Sequence, residues 1–381
     1  MKKIKVMTIF GTRPEAIKMA PLVKELEKQS DRFESIVTVT AQHRQMLDQV
    51  LTIFNIKPDY DLNVMKDRQT LSQITANVLM GLEAVMLEAK PDIVLVHGDT
   101  TTTFAAAISA FYHNIKVGHV EAGLRTWNKH SPFPEEINRQ VTDVISDLYF
   151  APTMQSEGNL LKENHDKNAI FITGNTAIDA LQHTVRENYE NEILNSIPED
   201  HKIILMTMHR RENQGKPMVQ VFRAIRQVVD EYPDIEMIYP VHLNPVVQEL
   251  AKAHLGDHER IHLIAPLDVI DFHNVAARSY MIMSDSGGVQ EEAPSMGIPV
   301  LVLRDTTERP EGVEAGTLKL VGTETKDVIE AMTELLDNAA SHKKMSEAAN
   351  PYGDGKASQR ILDCIAYEFG CTDHRPEEFK Y

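Results

Sequence analysis

Cysteine is nearly missing from this chain: of 381 residues only Cys364 and Cys371 carry a thiol, and their spacing fits no metal site. A disulfide framework is therefore not expected, and a reducing compartment, the cytoplasm, is. No H-E-x-x-H and no paired C-x-x-C occurs, so no metal is expected. There is no G-x-G-x-x-G, which argues against a tightly bound nicotinamide. The stretch "GDGKAS" at 353–358 has Asn350 where a P-loop needs its first glycine. No apolar run approaches the ~20 residues of a membrane span, so no membrane partner is expected. The start, "MKKIKVMTIFGTRPE", has too short an apolar stretch for a signal peptide and reads as a first strand. Positive charge is also in deficit: 39 Lys and Arg against 56 Asp and Glu leave a net charge of −17. That balance weighs against a nucleic-acid partner, although a locally positive site for a small anion remains open to it.

What is present is alternation. Apolar runs at 4–10, 35–40, 92–97, 116–120, 147–151 and 169–173 are followed by a second series at 202–208, 235–241, 260–264, 280–284 and 299–303. Helix-length segments at 14–29, 70–89, 101–113, 135–146, 217–231, 244–254 and 287–296 lie between them, and Pro21 is expected to kink or divide the first. Strands alternating with helices specify parallel sheets covered on both faces, an α/β protein. Two such series predict two Rossmann-like domains, residues 1–173 and 174–363, with 364–381 as a separate C-terminal segment. Hydrophobic residues make up 42% of the chain, enough to fill a core in each.

In open parallel sheets, ligands bind beyond the carboxyl ends of the strands. Five strand ends here carry polar or small residues: "GTRPE" after the first, then His97-Gly98-Asp99, Glu121, His209-Arg210 and Ser286-Gly287-Gly288. Their agreement across both halves predicts an active cleft between two facing sheets. In "FGTRPEAIKMAPL", Gly11 turns the chain into a helix opening at Pro14, with Arg13 and Lys18 beside its free N–H groups, a setting for an anion. Two solvated cations at an ordinary turn are the plainer alternative. The turn Ser286-Gly287-Gly288 also opens a helix and can cradle a phosphate, with Glu292 one turn on for ribose hydroxyls. The alternative is a tight turn and a solvated Glu292. Three carboxylates, Asp99, Glu121 and Glu135, could move protons. Asp99 could equally be an N-cap of the "TTTT" helix, and Glu135 a favourable charge at a helix start.

Ten segments, "FGTRPEAIKMAPL", "TAQHRQMLDQVL", "VLVHGDTTTT", "VGHVEAGLRT", "FPEEINRQ", "FITGNTAIDAL", "YPVHLNP", "DSGGVQEEAPS", "VLVLRDTTERPEG" and "NPYGDG", resemble the non-hydrolysing bacterial UDP-N-acetylglucosamine 2-epimerases, from about residue 4 to about 363. The resemblance implies the GT-B-type architecture of many glycosyltransferases, with a C-terminal helix crossing back to the first domain. It implies reversible conversion of UDP-N-acetylglucosamine to UDP-N-acetylmannosamine, with no cofactor, through loss of UDP to a 2-acetamidoglucal and its return. Carried onto matching positions, it gives Arg13, Lys18, His209, Ser286, Gly287, Gly288, Glu292 and Arg309 to UDP and sets Phe272 beside the uracil. Asp99, Glu121 and Glu135, with His209, would form the catalytic set. Gln42, Gln45, Arg68, Gln69, Glu136, Arg210 and His242 match a site for a second UDP-N-acetylglucosamine that acts as an activator. The resemblance also implies a homodimer and a supply of precursors for cell-surface polysaccharide. A hydrolysing epimerase, a glycosyltransferase on the same fold and a nucleotide-sugar sensor without turnover are the rival readings.

Overall fold

The computed structural model describes residues 2–381 apart from 42, 43, 65, 67 and 68, with Gln45 described by its helical backbone alone. Contacts divide the chain into two compact units: Met1–His183 with Tyr352–Lys380, and Thr184–Pro351 with Tyr381.

The first unit alternates strand and helix: β1 (Ile4–Phe10), α1 (Arg13–Lys28), β2 (Phe33–Val39), α2 (Arg44–Ile53), β3 (Tyr60–Asp61), α3 (Leu71–Ala89) and β4 (Ile93–His97). It continues through α4 (Thr101–Tyr112), β5 (Lys116–Val120), α5 (Glu135–Ile145), β6 (Leu148–Ala151), α6 (Met154–Lys162), β7 (Ile170–Ile172) and α7 (Thr176–Thr184). All seven strands pair in parallel, in the order β3-β2-β1-β4-β5-β6-β7. The order reverses between β1 and β4, the topological switch point at which open sheets bind ligands.

The second unit repeats the plan. A short α8 (Glu192–Ser196) leads to β8 (Lys202–Thr207), α9 (Lys216–Glu231), β9 (Ile235–Pro240), α10 (Pro245–Leu255), β10 (Ile261–Ile264), α11 (Val269–Ala277) and β11 (Met281–Ser284). Then come α12 (Gly287–Glu292), β12 (Val300–Val302), α13 (Pro310–Ala315), β13 (Leu318–Leu320), α14 (Thr325–Asp337) and α15 (Ala339–Ser346). Its parallel sheet runs β10-β9-β8-β11-β12-β13, with the switch point between β8 and β11.

Each sheet is buried on both faces. In the first unit, α1 and α2 cover one face and α3 and α4 the other. In the second, α9, α10 and α14 lie on one side and α11 on the other. The last helix, α16 (Ala357–Glu368), packs on α1 through Ile361, Leu362 and Ile365. The buried Asp179 of α7 accepts from the N–H of Ala357 (3.1 Å) and Ser358 (2.7 Å), fixing where α16 starts.

Several expectations change. The first unit runs to residue 183 and recovers the chain at 352, where 173 and 364 had been anticipated, because α7 and α16 belong to the same packed layer. Helix α1 continues undivided through Pro21, which is buried in the layer against β1. One lost helical hydrogen bond is outweighed there by packing of the apolar stripe. Strand β3, two residues long, and β13, three residues long, were not anticipated. The helix expected over 287–296 is α12 followed by a 3-10 turn at 293–296.

Truncating Ile361 to alanine removes a fully buried side chain at the α16–α1 contact. The expected loss is about 2–5 kcal/mol, read as a lower denaturant midpoint, with the second unit's secondary structure unaffected.

Candidate functional site

The turn after β1 is held from inside. Glu15, which is 2% exposed, accepts from the N–H of Gly11 (3.1 Å) and Thr12 (2.8 Å) and from the hydroxyls of Thr100 (2.7 Å) and Thr103 (3.1 Å). Burial pushes its carboxyl up, against the pull of those hydrogen bonds. Glu15 thereby ties the β1–α1 turn, with Arg13 at its lip, to the start of α4. Thr100, not Asp99, is the N-cap of α4, through the N–H of Thr103 (3.1 Å).

That leaves Asp99 for other work. Its side chain is paired with Arg139 of α5, and its carbonyl accepts from the Asn138 amide at 2.9 Å. Glu135 sits in the first turn of the same helix, partly exposed. Its neighbour Glu136 is fully buried and accepts from the N–H of Thr126 (3.0 Å) and Trp127 (2.9 Å) and from Arg139 and Gln140. Glu136 thus holds the loop after β5, a structural post that the activator assignment did not foresee.

Glu121 follows β5 in a left-handed conformation (φ 67°). Its carboxylate is paired with Lys18 of α1, accepts from the Asn175 amide at 2.9 Å, and stands 3.7 Å from His97 Nε2. Gly98, also left-handed (φ 66°), leaves the space that Glu121 overlooks: a Cβ there would lie 3.6 Å from its Oε1. Beneath both loops is a buried network. His119 Nδ1 meets Asp143 at 2.6 Å, and its Nε2 meets the Gly98 carbonyl at 2.7 Å. Asp143 also accepts from Arg125 (2.6 Å) and the Gly123 N–H (3.3 Å), and Arg125 reaches Glu163. Although burial pushes Asp143 up, His119 and Arg125 outweigh it and hold the carboxyl below its usual range.

The second unit offers a different chemistry. Asp285, fully buried after β11, accepts from the N–H of His209 (3.0 Å) and Arg210 (2.9 Å) and from the Asn213 amide (2.9 Å). The half-exposed His209 ring stacks on His242, with centroids 5.6 Å apart. Ser286 caps α12 with extended backbone, and Gly287 and Gly288 begin the helix instead of forming a tight turn. Neither glycine has positive φ, and a Cβ on either would meet only ordinary contacts at 3.7–3.9 Å. The fold itself does not require them; bare N–H groups at a helix mouth are what they provide. Arg309 reaches this mouth and is paired with the buried Glu291. Glu292 is not a solvated face: His273, buried and bonded to Thr184 at 2.7 Å, approaches it at 3.4 Å. Phe272 packs half-buried beside His273 on α11.

Each unit therefore gathers its own share of the expected residues at the carboxyl ends of its strands. Arg13, Lys18, Asp99, Glu121 and Glu135 belong to the first; His209, Phe272, Ser286, Gly287, Gly288, Glu292 and Arg309 belong to the second. Of the activator set, Gln69 lies in the first unit, its Oε1 accepting from Lys66 N–H at 2.7 Å, and Arg210 and His242 lie in the second. Gln42 and Arg68 fall outside the described residues, as does the Gln45 side chain. Sequence reasoning missed Glu15, His119, Asp143, Asn175, His273, Asp285 and Glu291, and placed His97 at a strand end without giving it a role. Only Glu15 carried a local signal, the Thr12-x-x-Glu15 capping box. Among the described residues no group of three or more His, Cys, Asp or Glu is arranged to hold a metal ion, and no helix is long and apolar enough to cross a membrane.

Comparison with known proteins gives one consistent set. The family model described as UDP-N-acetylglucosamine 2-epimerase matches residues 24–366. A UDP-N-acetylglucosamine 2-epimerase of Bacillus subtilis is 63% identical over 379 residues, covering 100% of this chain and 99% of the relative. A crystal structure of a UDP-N-acetylglucosamine 2-epimerase superposes with a TM-score of 0.94 at 61% identity, covering both chains completely. A UDP-GlcNAc 2-epimerase from Neisseria meningitidis bound to UDP-GlcNAc gives a TM-score of 0.85 at 50% identity, covering 95% of this chain and 99% of that one.

Replacing Asp143 with alanine removes the buried partner of His119 Nδ1 and one of the two carboxylates of Arg125, which keeps Glu163 alone. The expected cost is about 3–5 kcal/mol, measured by denaturant unfolding. Because the folded carboxyl titrates below its unfolded value, its contribution is complete above pH ~4 and fades as pH falls through the depressed folded value. The variant should accordingly lose less stability than the parent between pH 5 and 2.

Proposed function

The chain belongs to the UDP-N-acetylglucosamine 2-epimerase family, and we propose that it interconverts UDP-N-acetylglucosamine and UDP-N-acetylmannosamine without releasing UDP. The observation that carries this is the division of labour at the two switch points. One sheet offers carboxylates held in polar networks, and the other offers bare helix N–H groups and cationic side chains.

On this reading, a base removes the proton at C2 as the C1–O bond to UDP breaks in an anti elimination. The electron pair of the C–H bond becomes the C1=C2 double bond of a 2-acetamidoglucal. UDP departs as the anion. Protonation of C2 on the opposite face and return of UDP to C1 give the epimer. Elimination and re-addition contain no oxidation or reduction step, so this route needs no nicotinamide. Asp99, Glu121 and Glu135 serve the sugar and its protons, since delivery to opposite faces calls for more than one acidic group. Arg13, Lys18, His209, Arg309 and the Ser286–Gly288 turn stabilise the departing diphosphate. Glu292 takes the ribose hydroxyls and Phe272 lies along the uracil. His209 is exposed enough to approach the phosphate as well as the sugar. A second UDP-N-acetylglucosamine at Gln42, Gln45, Arg68, Gln69, Glu136, Arg210 and His242 remains part of the proposal, Glu136 also holding the loop after β5.

A homodimer is supported by one surface. Met80 and Leu87 on α3, Phe111 and Tyr112 on α4, and Ile137 and Val144 on α5 are exposed, on helices that pack in succession. Residues seven apart share a helix face, so α3 and α5 each present an unpartnered apolar stripe. The product's use as a precursor of cell-surface polysaccharide, in the cytoplasm, completes the reading.

Proton NMR of the protein with UDP-N-acetylglucosamine in D₂O, without added metal or nicotinamide, tests the reaction. UDP-N-acetylmannosamine carrying deuterium at C2 is expected, with deuterium also entering the starting sugar. Free N-acetylmannosamine with equal UDP would assign the hydrolysing reaction instead. Asp99→Asn is expected to keep UDP affinity and lose turnover; unchanged turnover removes Asp99 from the chemistry. Sedimentation of a Met80→Glu, Val144→Glu double variant is expected to show a monomer where the parent is a dimer, and a monomeric parent ends the dimer assignment.

A further inference from the structure

His97 is the last residue of β4 and 4% exposed. Its Nε2 is buried and has no hydrogen-bond partner among the described residues. Buried polar atoms are rarely left this way, because an unmade hydrogen bond is costly. The carboxylate it faces is Glu121, whose Oε2 is 3.7 Å away, beyond hydrogen-bonding range. Glu121 meanwhile is drawn toward Lys18 and Asn175. Burial first, then Lys18 and His119, push the His97 ring down to about 3, although Glu121 pulls the other way. The ring is therefore uncharged at neutral pH. With the ring proton on Nδ1, Nε2 presents a bare lone pair toward Glu121. A bare lone pair facing a carboxylate is of no use to that carboxylate while it is ionised. It becomes useful when the carboxylate carries a proton.

We propose that His97 is a positioning residue whose Nε2 accepts a hydrogen bond from Glu121 during the part of the cycle in which Glu121 is protonated. This rests on the reading above that Glu121 exchanges a proton with C2 of the sugar. No proton passes to His97: the O–H bond of Glu121 stays intact and donates to Nε2. When Lys18 turns to the diphosphate, Glu121 loses its cationic partner, and closing the 3.7 Å gap gives its acid form an acceptor. The groups around the pair are Lys18 from α1 and His119 from β5, with Asn175 after β7 and Thr103 of α4, which donates to the His97 carbonyl, as neutral neighbours.

The test compares wild type, His97→Phe and His97→Gln by kcat, KM and deuterium entry at C2 of UDP-N-acetylglucosamine across pH. His97→Phe has no acceptor. It is expected to lower kcat and C2 exchange about tenfold with KM little changed, and to move the acid limb of kcat to lower pH, because the acid form of Glu121 is no longer favoured. His97→Gln keeps an acceptor oxygen and is expected to recover much of both. Equal impairment of the two variants, or a His97→Phe enzyme matching wild type in kcat, exchange and acid limb, overturns the proposal. If His97→Phe does not fold, ¹⁵N-histidine spectra of the wild type, assigned with His97→Gln, decide instead. A bare Nε2 supports the proposal, and an Nε2–H or an imidazolium overturns it. A wild type that exchanges no deuterium refutes the epimerase reading itself, whereas exchange with an indifferent His97 refutes only this inference.

Discussion

Buried carboxylates that accept backbone N–H groups hold the strand-end loops of both units. Glu15 draws in Gly11 and Thr12 after β1, Asp143 draws in Gly123 after β5, and Asp285 draws in His209 and Arg210 after β8. Glu136 does the same for Thr126 and Trp127. A loop at the carboxyl end of a parallel strand has no ladder to satisfy its N–H groups, and burying them unpaired is costly. A carboxylate can accept several at once, so one side chain fixes a turn of two or three residues. The polar groups beside it, the partly buried Arg13, Asp99, Glu121 and Ser286 and the exposed His209, are then presented by rigid backbone. Reactive geometry depends on that rigidity, since a displacement of about 1 Å is enough to cost catalysis heavily.

The excess of acid takes on a local meaning in this light. Lys18, Arg139 and Arg309, the cations nearest the expected chemistry, are each already paired with a carboxylate: Glu121, Asp99 and Glu291. An unpaired charge in a partly buried position carries a desolvation penalty that a bonded carboxylate offsets. Pairing keeps these cations ordered until an anion arrives. A diphosphate is a strong competitor for such partners, because its contacts with arginine are charge-assisted and bidentate.

The sheets and most of their strands were legible in the sequence, as were the polar residues at the strand ends, because continuous apolar runs and strand-end Gly, Asp and Ser are local signals. "IVLVHGD" declares both a buried strand and the polar residues at its end. The anchors were not legible. Asp143 lies twenty-four residues beyond His119 in an unremarkable helical stretch, and nothing in "EEINRQVTDVI" distinguishes it from a solvated acid. Asp285 stood in plain sight before Ser286, yet its partners lie more than seventy residues away. The return of the chain at 352 was placed too late for the same reason. It is set by Asp179 capping α16, a contact across 178 residues that no local pattern records.

The Lys18–Glu121 pair links binding to acid–base chemistry in a way that neither residue would alone. A carboxylate beside an ammonium group is a poor base, because the cation favours its ionised form. In the free protein Glu121 is paired with Lys18 and accepts from the Asn175 amide. On the epimerase reading, a diphosphate that takes Lys18 withdraws the cation, and the basicity of Glu121 rises as the sugar arrives. The same displacement places the ammonium on the leaving group, where negative charge develops as the C1–O bond breaks. One side chain would then serve proton abstraction by leaving and UDP departure by arriving. A substrate lacking the diphosphate would do neither, so activity toward free N-acetylglucosamine would be lost at the chemical step as well as in binding.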